Sequence, residues 1–92
     1  QSDDDAGNTT TLEDGVQVID AGAAGMVTID VTNGVLTLVS VDQADGWSYE
    51  IDKATATDIE VKLRNGSQEV EVEIEIENGM LKTKVKTETS ND

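Results

Sequence analysis

The sequence predicts an all-β fold of antiparallel, mostly meandering strands, six or seven in number. The apolar residues are chiefly valine, isoleucine, leucine and alanine, with no phenylalanine, one tryptophan and one tyrosine, and β-branched residues favour strands. Short alternating runs are separated by turn signals, and helical periodicity is missing throughout. This pattern leaves two closures open, a small sandwich or a partly open barrel.

Seven segments have the length and alternation of strands. In chain order they are "GVQVID" (15–20), "GMVTIDVT" (25–32), "VLTLVSV" (35–41), "WSYEID" (47–52), "DIEVKLR" (58–64), "EVEVEIEIE" (69–77) and "MLKTKVKTE" (80–88). Asn-Gly stands between them three times, at 33–34, 65–66 and 78–79. This dipeptide is typical of two-residue hairpin turns, in which both central residues have positive φ. The sequence therefore predicts three hairpins.

The last hairpin can be assigned a register, because a two-residue turn at 78–79 fixes which residues face each other. Three glutamate–lysine pairs then share one face, and apolar residues share the other. The predicted pairs are Glu77–Met80, Ile76–Leu81, Glu75–Lys82, Ile74–Thr83, Glu73–Lys84, Val72–Val85 and Glu71–Lys86. We interpret the alternating charges as the solvated face of a sheet.

The other two turns predict registers by the same rule. The predicted pairs are Val61–Val70, Ile59–Val72, Lys62–Glu69 and Glu60–Glu71 around the turn at 65–66, and Val31–Leu36 and Ile29–Leu38 around the turn at 33–34. Segment 35–41 also has valines on its opposite face, so we expect a central strand that is covered on both sides or lies where the sheet curls on itself.

The chain length predicts one domain, because 92 residues suffice for one modest core. Residues 1–14 are acidic and polar and are predicted to be a flexible N-terminal tether. Residues 15–88 are predicted to be the single all-β domain, and residues 89–92 a C-terminal tail. The tether is similar to what remains after removal of a targeting segment, which predicts a secreted or cell-surface location. The alternative is a piece of a larger protein, or a protein made inside the cell.

Composition excludes several classes of function. The formal charge of −14 argues against nucleic acid, whose binding needs a basic surface, and against anionic membrane surfaces. No apolar run is long enough for direct membrane insertion by a helix. The absence of cysteine and histidine removes thiol nucleophiles and the usual general base. Paired carboxylates could serve glycoside hydrolysis, but two aromatic residues give little material for a sugar-binding cleft, so we expect no enzyme.

Calcium is the one cofactor that the residues suggest, because it takes oxygen ligands and the loops offer carboxylates. The candidate ligands lie in "SVDQADGWS" and "DKATATD" and are Asp42, Asp45, Asp52 and Asp58. Neither stretch has the pattern of an EF-hand loop. The alternative is that these aspartates shape turns by bonding to their own backbone.

Two further features could bind a partner. Trp47 and Tyr49 are predicted to share one face of a strand with Ile51, either as an exposed platform for carbohydrate or peptide or as part of the core. A partner's strand could also add to a sheet edge. In a meander the edge strands are 15–20 and 80–88. Lysines protect the edge at 80–88, so 15–20 is the candidate edge for strand addition.

The order of "MVTIDV", "GVLTLVSV", "GWSYEID", "IEVKLRNG" and "VEVEIEIENGMLKTKVKT" resembles small acidic exported β domains of actinobacterial type. The resemblance covers most of residues 25–88 and includes no chemical motif. It implies an exported, lipid-tethered domain and gives no indication of a particular activity, although this chain lacks the cysteine that would carry the lipid. Together these observations predict a non-enzymatic extracytoplasmic interaction or structural module with a protein or cell-surface partner. The alternative is a calcium-binding β domain.

Overall fold

The computed structural model describes residues 5–89, with the backbone alone described for residues 5–8. The strands are β1 (Asp5–Thr11), β2 (Gly15–Asp20), β3 (Gly25–Thr32), β4 (Val35–Gln43), β5 (Ser48–Ala54), β6 (Asp58–Asn65), β7 (Gln68–Glu77) and β8 (Met80–Thr89), and a 3₁₀ turn covers Gly22–Ala24. All the strand pairs are antiparallel. The predicted fold class is therefore confirmed, with eight strands rather than six or seven.

The strands form two sheets that pack as a sandwich, and they do not close into a barrel. One sheet has five strands in the order β1-β8-β7-β6-β5, and the other has three in the order β2-β3-β4. The buried residues of the described chain are all aliphatic, in keeping with the composition, and both sheets contribute to them. They are Ile19, Ala21, Ala24, Val27, Ile29, Val31, Leu36, Ile59, Val61, Leu63, Val70, Val72, Ile74 and Leu81.

The β7–β8 hairpin has the predicted register. All the predicted pairs occur, from Glu77 opposite Met80 to Glu71 opposite Lys86. Asn78 has a φ of 54° and Gly79 a φ of 73°, which are the positive values that a type I′ turn needs. The alternating charges of this hairpin therefore belong to one solvated face, and a slip of one residue would put them in the core.

The predicted register of β6 and β7 is wrong by two residues. The observed pairs include Asn65–Gln68, Arg64–Glu69, Lys62–Glu71, Val61–Val72, Glu60–Glu73 and Ile59–Ile74. The turn residues are Gly66 and Ser67, of which only Gly66 has positive φ, at 61°. This is the pattern of a type II′ turn, which has glycine first. Because the shift is two residues, every side chain keeps its predicted face.

The β3–β4 hairpin has the predicted pairs next to its turn, with Val31 opposite Leu36 and Ile29 opposite Leu38. Further along, a bulge at Val39 interrupts the register. The extra residue reverses the alternation, so Val41 packs against the core without a second covering layer, whereas the bulge residue Val39 is exposed. The expectation of a central strand is wrong, because β4 is an edge of the three-stranded sheet.

Part of the expected tether is a strand. β1 pairs with β8 from Asp5 opposite Lys86 to Thr11 opposite Met80. β8 is therefore not an edge of its sheet, contrary to the expectation for 80–88, whereas 15–20 is an edge as expected. Residues 1–4 of the expected tether and residues 90–92 of the expected tail lie outside the described residues.

Gly25 lets the beginning of β3 lie against the end of β4. Its φ is 123°, and a Cβ atom there would lie 2.1 Å from the carbonyl oxygen of Asp42. Next to it, the Ala44 N–H donates a hydrogen bond of 2.8 Å to the Ala24 carbonyl. Both the dihedral angle and the close backbone contact require glycine at this position.

Candidate functional site

The outer side of the five-stranded sheet is a charged face, formed by the polar residues that alternate with the core residues of β6–β8 and by the charged residues of β5. Charges of opposite sign face each other in several rows, as in Lys86, Glu71, Lys62 and Glu50, while Glu60 faces Glu73 and Glu69 faces Glu88. Ion pairs join Arg64 Nε to Glu69 Oε1 at 3.2 Å, Lys62 Nζ to Asp52 Oδ2 at 3.5 Å and Lys53 Nζ to Glu60 Oε2 at 3.9 Å, and Lys82 pairs with Glu77. A shallow depression of about 520 Å³ in this face is lined by charges of both signs.

The lysines of the charged face interact with carboxylates of their own sheet. Asp52 and Glu69 raise the pKa of the Lys62 ammonium. A hydrogen bond to Glu77, together with its negative charge, raises the pKa of Lys82. These cations are stabilised within the sheet, which makes the face less available to an anionic partner.

Glu71 lies at the centre of the charged face, between Lys62 and Lys86. Burial and the negative charge of Glu73 raise the pKa of its carboxyl group, while the two lysines act in the opposite direction. The net shift is upward. The local environment of Glu71 therefore disfavours its ionised form despite the neighbouring cations.

The outer side of the three-stranded sheet holds most of the exposed large hydrophobic residues, which are interspersed with threonine, serine and aspartate side chains. The residues on this side are those that alternate with the buried residues of β3, together with their partners on β2 and β4. The large hydrophobic ones are Val16, Val18, Met26 and Val35. We use the name apolar face for these four residues together with the bulge residue Val39. Their exposed fractions are 64% for Val16, 58% for Val18, 48% for Met26, 45% for Val35 and 54% for Val39. In the described chain, only Tyr49 and Ile51 are other exposed large hydrophobic residues.

All the charges on the three-stranded sheet are negative. They belong to Asp20, Asp30 and Asp42. The first basic residue of the chain is Lys53, so all six basic residues lie in its second part. These carboxylates lie among the residues of the apolar face, with Asp30 opposite Val16 and both Asp20 and Asp42 opposite Met26, and no lysine or arginine lies in the same sheet.

The free edge of the three-stranded sheet at β2 is continuous with the apolar face. The register of β2 and β3 runs without interruption from Gly15 opposite Val31 to Asp20 opposite Met26. The edges at β4 and β5 differ, since each of those registers contains a bulge or irregularity. Bulges interrupt pairing at an edge, so β2 is a more regular template for an added strand than β4 or β5. The β1 edge also has an uninterrupted register, but it belongs to the other sheet and not to the apolar face.

The backbone groups at this edge can be assigned from the hydrogen-bond pattern. The Ala21 N–H donates to the Gly25 carbonyl at 2.9 Å, and this pair continues the β2–β3 register by one step. In an antiparallel ladder, alternate residues point their N–H and C=O groups towards the partner strand. The N–H and C=O groups of Val16, Val18 and Asp20 therefore point away from β3, towards the free edge.

A groove of about 560 Å³ lies between the two sheets along this edge. Gln17 and Ile19 of β2 contribute one wall. Thr10 of β1 and the β8 residues Thr83 and Val85 line the other side. The groove thus presents a mixed apolar and hydroxyl surface beside unpaired backbone groups.

The two predicted aromatic site residues have different environments. Trp47 precedes β5, is half-buried and packs against the core. The backbone N–H of Trp47 donates a hydrogen bond of 3.0 Å to the Ala44 carbonyl across a turn. Tyr49 is exposed on β5 beside Ile51. Ligand binding at these residues stays a prediction.

The four predicted calcium ligands are distributed over several elements. Asp42 is on β4, and Asp45 is in the turn that follows. Asp52 is on β5 and pairs with Lys62, whereas Asp58 begins β6. Among residues 9–89, whose side chains the structure describes, no group of three acidic side chains could hold a metal ion. Calcium binding stays a prediction.

The sequence analysis missed the apolar face because valines in a short strand suggest a core. In "GVQVID" both sides of the strand contain apolar residues, and the fold buries Ile19 while Val16 and Val18 stay exposed. A usable signal was the absence of lysine and arginine before residue 53. It marks the three-stranded sheet as electrostatically unlike the rest of the domain.

The part of the chain that the structure describes contains no helix long and apolar enough to cross a membrane. Comparison of the chain with models of protein families, with curated proteins and with solved structures gave no match.

Proposed function

We propose that this chain is a non-enzymatic, extracytoplasmic protein-binding module and that its partner binds to the apolar face. The observation that carries this proposal is the concentration of exposed large hydrophobic residues on one side of one sheet, five of the seven in the described chain. Grouped apolar residues on a protein surface are typical of interaction sites, whereas single ones are common everywhere.

Burial of these side chains would supply the driving force for binding. Complete burial of a valine or methionine side chain is worth about 1.5–3 kcal/mol relative to full exposure. The side chains of the apolar face are already 36–55% covered, by difference from their exposed fractions, so each gains only part of that amount. Several of them together are still sufficient to offset part of the entropic cost of association.

The chemistry of the partner follows from the charges around the face. Asp20, Asp30 and Asp42 lie among the apolar side chains, without a cation in the same sheet. A partner surface in which apolar residues and lysine or arginine are interspersed complements this arrangement. A second copy of the same face is disfavoured, because it would bring carboxylates together.

The extracytoplasmic part of the proposal is supported by the acidic, polar composition of residues 1–14 and by the resemblance to exported domains. Fractionation of cells that express the complete gene product tests it. We expect the protein in the extracellular or surface fraction, and its retention inside the cell would contradict the predicted location without affecting the binding surface.

The binding proposal is tested with a variant that keeps the net charge, Val16→Thr, Val18→Thr and Met26→Gln. The control is Tyr49→Thr with Ile51→Thr, which changes exposed apolar residues of the other sheet. Proteins of the surface and secreted fraction of the source cells are captured on the wild-type domain and identified. Each is then purified, and its affinity for the wild type, the variant and the control is measured by calorimetry. We expect direct binding by wild type and control and at least about tenfold weaker binding by the face variant. Equal affinity of all three proteins would contradict the proposal.

A further inference from the structure

We infer that the partner contributes an extended segment, which adds to the free edge of β2 as a fourth strand of the smaller sheet. This inference rests on the proposed function and specifies how the partner engages the apolar face. Three observations carry it: the unpaired backbone groups of β2, the groove beside them and the charges at the edge.

The backbone of β2 offers a regular set of hydrogen-bonding groups. The N–H and C=O groups of Val16, Val18 and Asp20 point to the free edge, as the Ala21–Gly25 hydrogen bond indicates. The segment "GVQVID" contains no proline or lysine, and its register has no bulge. Proline, lysine and bulges are the usual protections of a sheet edge, so β2 lacks them.

The groove gives an added strand a place to lie. A strand added to β2 would lie about 4.8 Å from it in the plane of the sheet, which places it beside Ile19 and over the groove. Its inward side chains would contact Thr83 and Val85 of β8, which line that groove. Short apolar side chains such as valine or threonine match this lining, and the strand would cover part of the larger sheet that β2 leaves open.

The outward side chains of the added strand would lie next to Val16, Val18 and Asp20. The Asp14 carboxylate lies just before β2 and accepts a hydrogen bond of 3.0 Å from the Asn33 N–H. Carboxylates therefore flank both ends of the edge. Lysine or arginine in the outward positions would pair with these carboxylates, while their aliphatic stems would cover the valines. The partner segment is therefore extended, with small apolar residues alternating with basic ones.

The experiment uses the complete chain and a capped peptide of alternating valine and lysine, about as long as β2. Two matched peptides have N-methyl groups, one on every valine and one on every lysine. Since alternate residues of a strand point their N–H groups to the same side, only one of the two methylated peptides loses the donors that face β2. We expect that peptide to bind at least about tenfold more weakly than the parent, and the other to bind like it.

The protein variants are Val18→Pro, which removes an edge N–H, and Val18→Thr, which keeps it with a side chain of similar shape. The readouts are calorimetric affinity and amide hydrogen exchange. We expect the parent peptide to slow exchange of the Val16, Val18 and Asp20 amides, and Val18→Pro to weaken binding more than Val18→Thr does. If Val18→Pro fails to fold, the methylated peptides still decide the question.

Two results would overturn the inference, and they can be told apart. In the first, binding depends on the apolar side chains, but both methylated peptides bind equally and the β2 edge amides stay unprotected. This result contradicts strand addition and leaves the proposed function standing. Peptide binding that is unaffected by Val16→Thr, Val18→Thr and Met26→Gln contradicts both the inference and the proposed function.

Discussion

The two sheets of this domain have similar inner sides and opposite outer sides. Towards the core, β3 and β7 both present aliphatic residues at every second position, as folding demands of a sandwich. Towards solvent, the larger sheet presents charged residues of both signs, and the smaller sheet presents valines and a methionine interspersed with aspartates and hydroxyl residues. Since the common requirement of a core explains only the inner sides, the difference between the outer sides needs another cause. We attribute it to partner binding by the smaller sheet.

The largest expected effects test the shared inner sides. Ile29 of β3 and Ile74 of β7 are both buried, so Ile29→Ala and Ile74→Ala should each lower the free energy of unfolding by about 2–5 kcal/mol. Val18→Ala, at an exposed position of the smaller sheet, should change it by no more than about 0.5 kcal/mol. Urea unfolding measures all three. A loss at Val18 as large as that at Ile29 would mean that the apolar face is needed for folding.

The next effect tests the junction that holds the smaller sheet together. Gly25→Ala forces a Cβ atom against the Asp42 carbonyl in a backbone conformation with φ of 123°. The backbone strain alone should cost about 1–3 kcal/mol. Gly79→Ala is the matched control, because its φ is also positive, at 73°, but a Cβ there meets no atom within 4 Å. Thermal unfolding should show the greater loss for Gly25→Ala, and an equal loss for both would contradict the steric argument.

The smallest effect concerns the charged face. The pKa of Glu71 is raised in the folded protein, so the folded state binds a proton more readily than the unfolded state. The contribution of Glu71 to the free energy of unfolding therefore falls as the pH rises through its pKa. Glu71→Gln should therefore be slightly more stable than wild type at neutral pH. This advantage should shrink as the pH falls and both states become protonated.

The control for Glu71 is Glu88→Gln, which removes the same formal charge at an exposed position near the end of β8. Urea unfolding at a series of pH values compares the two variants with wild type. If Glu88→Gln stabilises the protein as much as Glu71→Gln does, relief of the net charge of −14, rather than the environment of Glu71, is the cause.

The sequence predicted those parts of the fold that depend on neighbouring residues. The strands from β2 to β8 and the β7–β8 register follow from alternation and from a turn whose two residues both have positive φ. The turn after β6 is of a different type, since its glycine comes first, and one dipeptide cannot distinguish the two assignments before the structure is known.

Features that depend on distant partners were not predicted. β1 is polar, and it becomes a strand by pairing with β8, between Thr11 opposite Met80 and Asp5 opposite Lys86, far along the chain. The edge position of β4 likewise depends on how the two sheets divide the strands. For the candidate site, the sequence predicted that 15–20 is an edge but not that Val16 and Val18 are exposed, because either side of that strand could have faced the core.

The account's central claim, that the smaller sheet is the binding surface, is tested most directly by mapping where a basic, apolar strand peptide binds. The complete chain is titrated with the valine–lysine peptide, and backbone amide chemical shifts are followed by NMR. We expect the largest changes at Val16, Val18 and Met26, with the amides around Glu71 unchanged. Changes centred on the charged face around Glu71, with β2 unaffected, would contradict the account.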